Sequence, residues 1–254
     1  MRAIHHPSVA ALSGALVAAL LLGLTSMSPI LQTPLGTHSR AVPTSHQCLT
    51  PEQLRILEHM SIVYLDDAQG GQVETIRISG VNLQIVNGLG ATNGNPGDPY
   101  SFDATVANGA GNVIIGYNEP GVWEPQVRTG SHMLVCGTGS NYSSFGGIVC
   151  GWENTASGAM SSVVGGFRNV ASGVLASTIG GDSNRSTGPL STVTGGSFGV
   201  ASGSNASVSG GKQGMANGDF SSVLGGQLCH AIGDYSAVLG GLFSVAQQDY
   251  EHVP

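Results

Sequence analysis

Charged side chains are scarce in this sequence. Of its 254 residues only 9% are charged, whereas 40 are glycine, a composition far from that of an average enzyme. The formal net charge of -7 opposes binding to nucleic acid or to an anionic membrane. The chain also falls outside the disordered class, because 41% of its residues are hydrophobic and they recur at regular spacing.

Long apolar segments are scarce as well. The one continuous run, residues 10–24, is too short for a typical membrane span and follows a short segment that contains Arg2. Residues 1–28 are therefore predicted to be an export signal, which would place the protein outside the cell or at the cell surface. The alternative is an uncleaved N-terminal anchor. Residues 29–49, rich in Pro, Thr, Ser and His, are predicted to be a linker.

What the sequence has in abundance is a repeat. Gly-Gly pairs recur every fifteen residues from Gly165-Gly166 to Gly240-Gly241. Cys150-Gly151 and Cys136-Gly137 extend the series to eight copies over residues 134–241. Such fixed self-similarity indicates a solenoid. The unit is too short for a helical pair, and its glycines disfavour helix. Each copy is expected to form two short strands and two turns, stacked about 4.8 Å from the next.

The rows formed by equivalent residues predict two faces. Val163 and its equivalents, with the small residues of the Ser161 row, are expected to fill a narrow interior. Neighbouring positions on a strand point to opposite faces, so the adjacent row should lie outside. Since a lone thin coil can bury only one face, this outer row is predicted to form contacts in a homotrimer. The candidates for these contacts are Val164, Ile179, Leu224 and Leu239.

Two segments carry a resemblance to a known family. Ser161-Ser162-Val163-Val164-Gly165-Gly166 and Asn169-Val170-Ala171-Ser172-Gly173 resemble the head repeats of trimeric autotransporter adhesins, the YadA-like head. The resemblance covers residues 131–246. It implies an all-β, left-handed parallel β-solenoid with three chains side by side, whose heads bind host surfaces or other cells. That family continues into a coiled-coil stalk and a membrane-anchor barrel. Since this sequence stops at Pro254, soon after the last repeat, autotransport and outer-membrane anchoring are not expected.

Residues 50–130 are expected to form a helix and an irregular β cap ahead of the repeats. Thr50-Pro51-Glu52-Gln53 has the pattern of a capping box with proline at the first helical position. The helix should run for about three turns, because Leu54, Ile56, Leu57 and Met60 supply an apolar stripe.

Three strands are predicted after this helix. A strand, a loop and a second strand are predicted over residues 62–79, and a third strand over residues 81–85, where apolar and polar residues alternate. Residues 87–111 should be an irregular loop. Val113-Ile114-Ile115 is predicted to be a first rung strand, followed by an insertion with Trp123 that protrudes from the stack. Residues 247–254 are assigned to a C-terminal tail.

Four cysteines are present, and two of them occupy equivalent places in adjacent repeats. Cys136 and Cys150 should therefore lie within disulfide range in an exported protein. The alternative is a pair of small buried residues in place of glycine. Zinc is not expected, because no Cys-x-x-Cys or paired histidine accompanies them.

No group of residues with catalytic spacing is found, and neither an enzymatic activity nor a cofactor or metal is expected. The row of serines that begins at Ser162 has no repeating histidine beside it. The repeat reads Gly-Gly-x-x-Asn, which lacks the aspartate of calcium-binding repeats. Asn154, Asn169 and Asn184 are predicted to stack at one turn as an amide ladder, with sugar binding as the weaker alternative.

The residues chosen as ligand contacts are Trp123 of the insertion and the turn residues Arg168, Arg185 and Lys212. The sequence thus predicts an exported adhesin-like structural protein that attaches to a host-cell or matrix protein or to a glycan. The rival is a phage-type tail fibre or a self-assembling extracellular filament subunit with end-to-end association. An ice-binding solenoid ranks last, because a regular Thr-x-Thr pattern is missing.

Overall fold

The computed structural model describes residues 49–123 and 125–254. The predicted export signal, and the predicted linker up to residue 48, lie outside the described residues. The chain divides into two compact units, one ending at residue 79 and one spanning residues 80–254, and each is described by itself. Among the described residues, no helix has both the length and the apolar character needed to cross a bilayer.

The first unit begins with the predicted capped helix. Helix α1 spans Pro51–Glu58. The backbone N–H of Gln53 donates to Thr50 Oγ1 at 3.2 Å, and the N–H of Thr50 donates to Gln53 Oε1 at 2.9 Å. The capping box is confirmed, but the predicted length is wrong. The helix has eight residues, about two turns, because His59 closes it and Met60 already belongs to the next strand.

The rest of this unit is an antiparallel hairpin. Strand β1 (Met60–Asp66) pairs with β2 (Gln72–Ile78) across a loop. Asp67 Oδ1 stabilises the loop by accepting the N–H groups of Gln69 at 2.9 Å and Gly71 at 2.7 Å. The predicted strand–loop–strand is confirmed, although the first strand is longer than predicted and the second lies one residue earlier.

The second unit begins with irregular backbone. The strand predicted over residues 81–85 is wrong, because Val81, Leu83 and Ile85 are exposed and no described strand pairs with them. Alternation of apolar and polar residues shows which side chains would share a face of a strand, but a strand also needs a neighbouring strand to pair with its backbone N–H and C=O groups. The irregular loop predicted over 87–111 is confirmed. Buried Asn93 holds it by donating through Nδ2 to the carbonyls of Asp98 at 2.8 Å and Ser101 at 3.0 Å.

The remainder is the predicted parallel β-solenoid, with two sheets that every coil visits in turn. The first sheet runs in the order β3 (Val113–Ile115), β4 (Leu134–Thr138), β6 (Ile148–Trp152), β8 (Ser162–Val163), β10 (Ser177–Thr178), β12 (Thr192–Val193), β14 (Ser207–Val208), β16 (Ser222–Val223), β18 (Ala237–Val238) and β20 (His252–Val253). The second runs in the order β5 (Asn141–Tyr142), β7 (Thr155–Ala156), β9 (Val170–Ala171), β11 (Arg185–Ser186), β13 (Val200–Ala201), β15 (Met215–Ala216), β17 (His230–Ala231) and β19 (Val245–Ala246).

The register of these sheets follows the period of the sequence. Ser177 pairs with Thr192, fifteen residues on, whereas Asn141 pairs with Thr155, fourteen residues on, in the first coils. The predicted first rung is confirmed, since β3 pairs in parallel with β4. The stack also extends into the segment assigned to a tail, because β20 adds to the first sheet beside β18.

From β8 onward the interior is filled mainly by rows of small side chains. Val163, Val193 and Val223 are fully buried, and Ala171 and Ala201 face them from the second sheet, also fully buried. The predicted inner rows are therefore confirmed. Two rungs differ. Buried Tyr142 stands at the alanine position in the first coil of the second sheet, and Thr178 and Ser186 replace valine and alanine further on, where their hydroxyl oxygens lie 3.0 Å apart in the interior.

The outer row of the first sheet lies on the opposite face, as its parity predicts. Val164 is 51% exposed, Ile179 47%, Leu224 51% and Leu239 56%. No charged residue interrupts this row, in which Thr194 and Ser209 occupy the two remaining positions. A continuous uncharged ladder thus follows one face of the coil.

The two repeat cysteines are directly paired in the first sheet. Cys136 lies opposite Cys150 in the register of β4 and β6, and a disulfide joins them with their Cα atoms 4.5 Å apart. Cys229 is buried as a free thiol.

Candidate ligand-binding groove

The insertion between β3 and β4 lies against the coil, so the prediction that it protrudes from the stack is wrong. Arg128 holds it in place. The guanidinium donates to the carbonyl oxygens of Asn118 and Glu119, each at 2.6 Å, and to Gln126 Oε1 at 2.6 Å. Its Nε also donates to the carbonyl of Ser140 at 3.2 Å. One cation therefore satisfies several loop acceptors at once.

Two coil side chains fix the rest of the insertion. Glu153 Oε1 accepts the backbone N–H of Val122 at 2.7 Å. Asn141 Oδ1 accepts the N–H of Val127 at 2.8 Å. The insertion therefore forms a wall beside the outer face of the second sheet.

A groove of about 520 Å³ lies between this wall and the sheet. Its floor is one outward-facing row of the second sheet, in which Asn141 pairs with Thr155, Thr155 with Val170 and Val170 with Arg185. Pro125 lines the side formed by the insertion. In the described part of the chain, the insertion thus gives the first four coils a wall beside their outer face.

Arg168 lines the same groove from the turn that precedes β9. Its guanidinium carbon lies 5.4 Å from the ring centroid of Trp123 and 5.9 Å from that of Phe167, within the range of cation–π contacts. Trp123 lies 5.9 Å from Trp152 and 5.8 Å from Phe167, and Trp152 lies 4.7 Å from Phe167. This aromatic cluster limits the positions that the arginine can take.

Among the described residues that line the groove, positive charge predominates. Arg168 and Arg185 line it together with one carboxylate, Glu153. In the ranges that the structure describes, neither arginine forms an ion pair, and the Glu153 carboxylate accepts the backbone N–H of Val122. An unpaired guanidinium in a concave site is a ready partner for a carboxylate or a sulfate, because its fork of N–H groups can bind two oxygens at once.

Three of the four predicted contact residues are brought together. Trp123 stacks on Arg168, and Arg168 shares the groove with Arg185. Lys212 does not line the groove. It lies three rungs beyond Phe167 in the same turn row, about 14 Å along the stack.

The predicted asparagine ladder is present, and it is structural. Asn154, Asn169 and Asn184 are all 0% exposed. Asn154 Oδ1 accepts the N–H of Asn169 at 2.7 Å, and Asn169 Oδ1 accepts the N–H of Asn184 at 2.9 Å. Their buried amides have no surface to offer a sugar, so the sugar-binding alternative is wrong at this position.

Sequence reasoning missed Arg128 and Glu153 as residues that build the site. Arg128 donates hydrogen bonds to four oxygen atoms around the groove. Glu153 accepts the backbone N–H of Val122, which lies thirty-one positions earlier in the sequence. The only feature of the sequence that could have pointed to these two residues is their charge, because charged residues are scarce in this chain.

The described residues contain no group of three or more His, Cys, Asp or Glu side chains arranged to hold a metal ion. No protein-family model matches the chain, and no curated protein matches it.

Proposed function

We propose that this protein is an exported, adhesin-like structural protein without enzymatic activity, whose solenoid attaches to cells or matrix through a host protein or glycan. The observation that carries the proposal is the groove, where two arginines that form no ion pair with a described residue lie beside a surface repeated every ~4.8 Å. A repetitive surface presents many weak contacts, and several copies held together strengthen them by avidity.

The proposed assembly is a homotrimer. Its support is the uncharged outer row of the first sheet, about half exposed at Val164, Ile179, Leu224 and Leu239. A second copy carries the same row at the same rung spacing, so apolar side chains of two copies can align rung by rung. The likeness of the repeat to the YadA-like head supports a side-by-side arrangement of left-handed coils, and an extracellular or cell-surface location is part of the same proposal.

Sedimentation of the purified mature chain tests the assembly. The double variant Leu224→Asp with Leu239→Asp should sediment as a monomer, because each change places a carboxylate in an apolar contact. Each leucine contributes about 1 kcal/mol per chain if association buries its exposed half. The matched control is Ser172→Asp with Ser202→Asp, which adds the same charge to exposed positions beyond the second sheet and should remain trimeric. A monomeric wild type would overturn the trimer.

Attachment is tested with the same protein on cultured cells and on immobilised matrix. The wild type should attach, and Arg168→Gln with Arg185→Gln should reduce attachment. If the protein instead forms end-to-end rods in electron microscopy and attaches to neither surface, the filament function replaces the adhesin function.

A further inference from the structure

We infer that the groove between the insertion and the second sheet binds an anionic saccharide, with its carboxylate or sulfate held by Arg168 and Arg185. The inference deepens the proposed attachment function, and rests on it, by naming the class of ligand.

The polar groups of the groove have the arrangement that such a ligand requires. Arg185 belongs to β11, and its neighbour in the register is Val170, two residues after Arg168. Both arginines therefore line the groove from adjacent coils. In this part of the described chain neither is neutralised by a carboxylate, so an incoming anion displaces no existing ion pair.

The remaining lining suits a sugar ring. The hydroxyl groups of Ser143, Thr155 and Ser157 line the groove, and no other described residue hydrogen-bonds to them. Val170 and Pro125 offer apolar surface for the C–H face of a pyranose. The volume of about 520 Å³ lies within the range of ligand pockets, roughly 300–1,000 Å³, and suits one or two sugar units.

An acidic peptide fits this groove less well. Extended peptides usually bind by adding a strand to a free sheet edge. Here β7 pairs with β5 and β9, and β9 pairs with β11. β5 is the last strand of the sheet, but its outer edge is covered by a parallel bridge between Arg128 and Tyr142, so the described backbone under the groove has no free edge. Recognition must therefore come from side chains, which favours a compact ligand with one anionic group and several hydroxyls.

Isothermal titration calorimetry on the purified mature protein tests the inference. The probes are a disaccharide ending in glucuronate, its neutral counterpart ending in glucose, and the glucose disaccharide carrying one sulfate. The glucuronate or the sulfated disaccharide should bind at least about tenfold more tightly than the neutral one, and the preferred probe identifies the anion. Added salt should weaken this preference.

Arg185→Gln is the central variant, because the Arg185 side chain forms no hydrogen bond or ion pair with another described residue, so its loss should not disturb the fold. It should weaken binding of the anionic disaccharide by about tenfold or more. Lys212→Gln is the matched control, since it removes one positive charge outside the groove and should leave binding unchanged. Arg185→Lys, which keeps the charge without the fork, should fall between wild type and Arg185→Gln.

Three outcomes would overturn the inference: equal binding of charged and neutral disaccharides, equal losses in Arg185→Gln and Lys212→Gln, or tighter binding of an acidic peptide than of either anionic sugar. Calorimetry and cell attachment separate the two proposals. Saccharide binding without attachment to either cells or matrix would refute the attachment function alone, and attachment without saccharide binding would refute the groove assignment alone.

Discussion

Replacing Asn169 by alanine tests whether the asparagine ladder stabilises the coils beneath the groove. The side chain is fully buried and makes three hydrogen bonds. Its Nδ2 donates to the carbonyls of Gly165 and Gly181, each at 3.0 Å, and its Oδ1 accepts the N–H of Asn184 at 2.9 Å. Alanine removes all three.

The three losses are unequal. The carbonyl of Gly181 keeps a second donor, the N–H of Phe167 at 3.0 Å. The N–H of Asn184 has no such substitute among the described contacts, and an unpaired buried donor costs about 1–3 kcal/mol. When the loss of the bonds to Gly165 and Gly181 is added to the cost of the unpaired Asn184 N–H, the local free energy of opening should fall by about 3 kcal/mol.

Hydrogen exchange of individual amides is the suitable assay, because each rung of a solenoid contacts only its neighbours and opening is local. The Asn184 amide should exchange about a hundredfold faster in Asn169→Ala. Amides beyond Val223 should be unchanged. Ser172→Ala, an exposed change in the same coil, is the control and should alter protection by no more than about 0.5 kcal/mol.

Protection of Asn184 that differs from wild type by less than about 0.5 kcal/mol would refute the reasoning. So would an equal loss of protection in all coils, since it would mean that the stack opens as one unit. Gly199 already stands at the equivalent place one rung beyond Asn184, which shows that a rung forms without this side chain.

Two further predictions concern the same coils. Gly181→Ala should destabilise the protein by about 3 kcal/mol or more in urea unfolding, because φ is +86° and a Cβ there would overlap the carbonyl oxygen of Gly196. Gly180→Ala is its matched control: a Cβ there meets nothing within 4 Å, so a loss as large as that of Gly181→Ala would contradict the steric argument. Thr178→Val with Ser186→Ala should be close to neutral, because it restores the valine and alanine of neighbouring rungs, whereas the two single changes should together cost about 1 kcal/mol more than the double. A double variant as unstable as the sum of the singles would show that the hydroxyl pair carries no coupling.

The structure of the repeats was predictable because, in a solenoid, residues one sequence period apart contact each other in adjacent coils. Val163 lies opposite Thr178 because the chain returns after one period, so equivalent positions become neighbours. Burial of the valine row, exposure of the Val164 row and the adjacency of Cys136 and Cys150 all follow from that rule. The capping box of α1 was equally readable, since all of its partners lie within three residues.

Only the tertiary structure decided the parts that lack a period. The alternation over residues 81–85 predicted a strand, but no strand of the described chain pairs with this segment. The insertion lies against the coil through Arg128 and Glu153, whose partners no spacing rule identifies. The same fold separated Lys212 from Arg168 and Arg185. In a repeat, the sequence period alone identifies which residues become neighbours. A groove built by one irregular loop depends instead on where that loop packs. Because this packing involves contacts between residues at no fixed spacing, only the folded chain shows it.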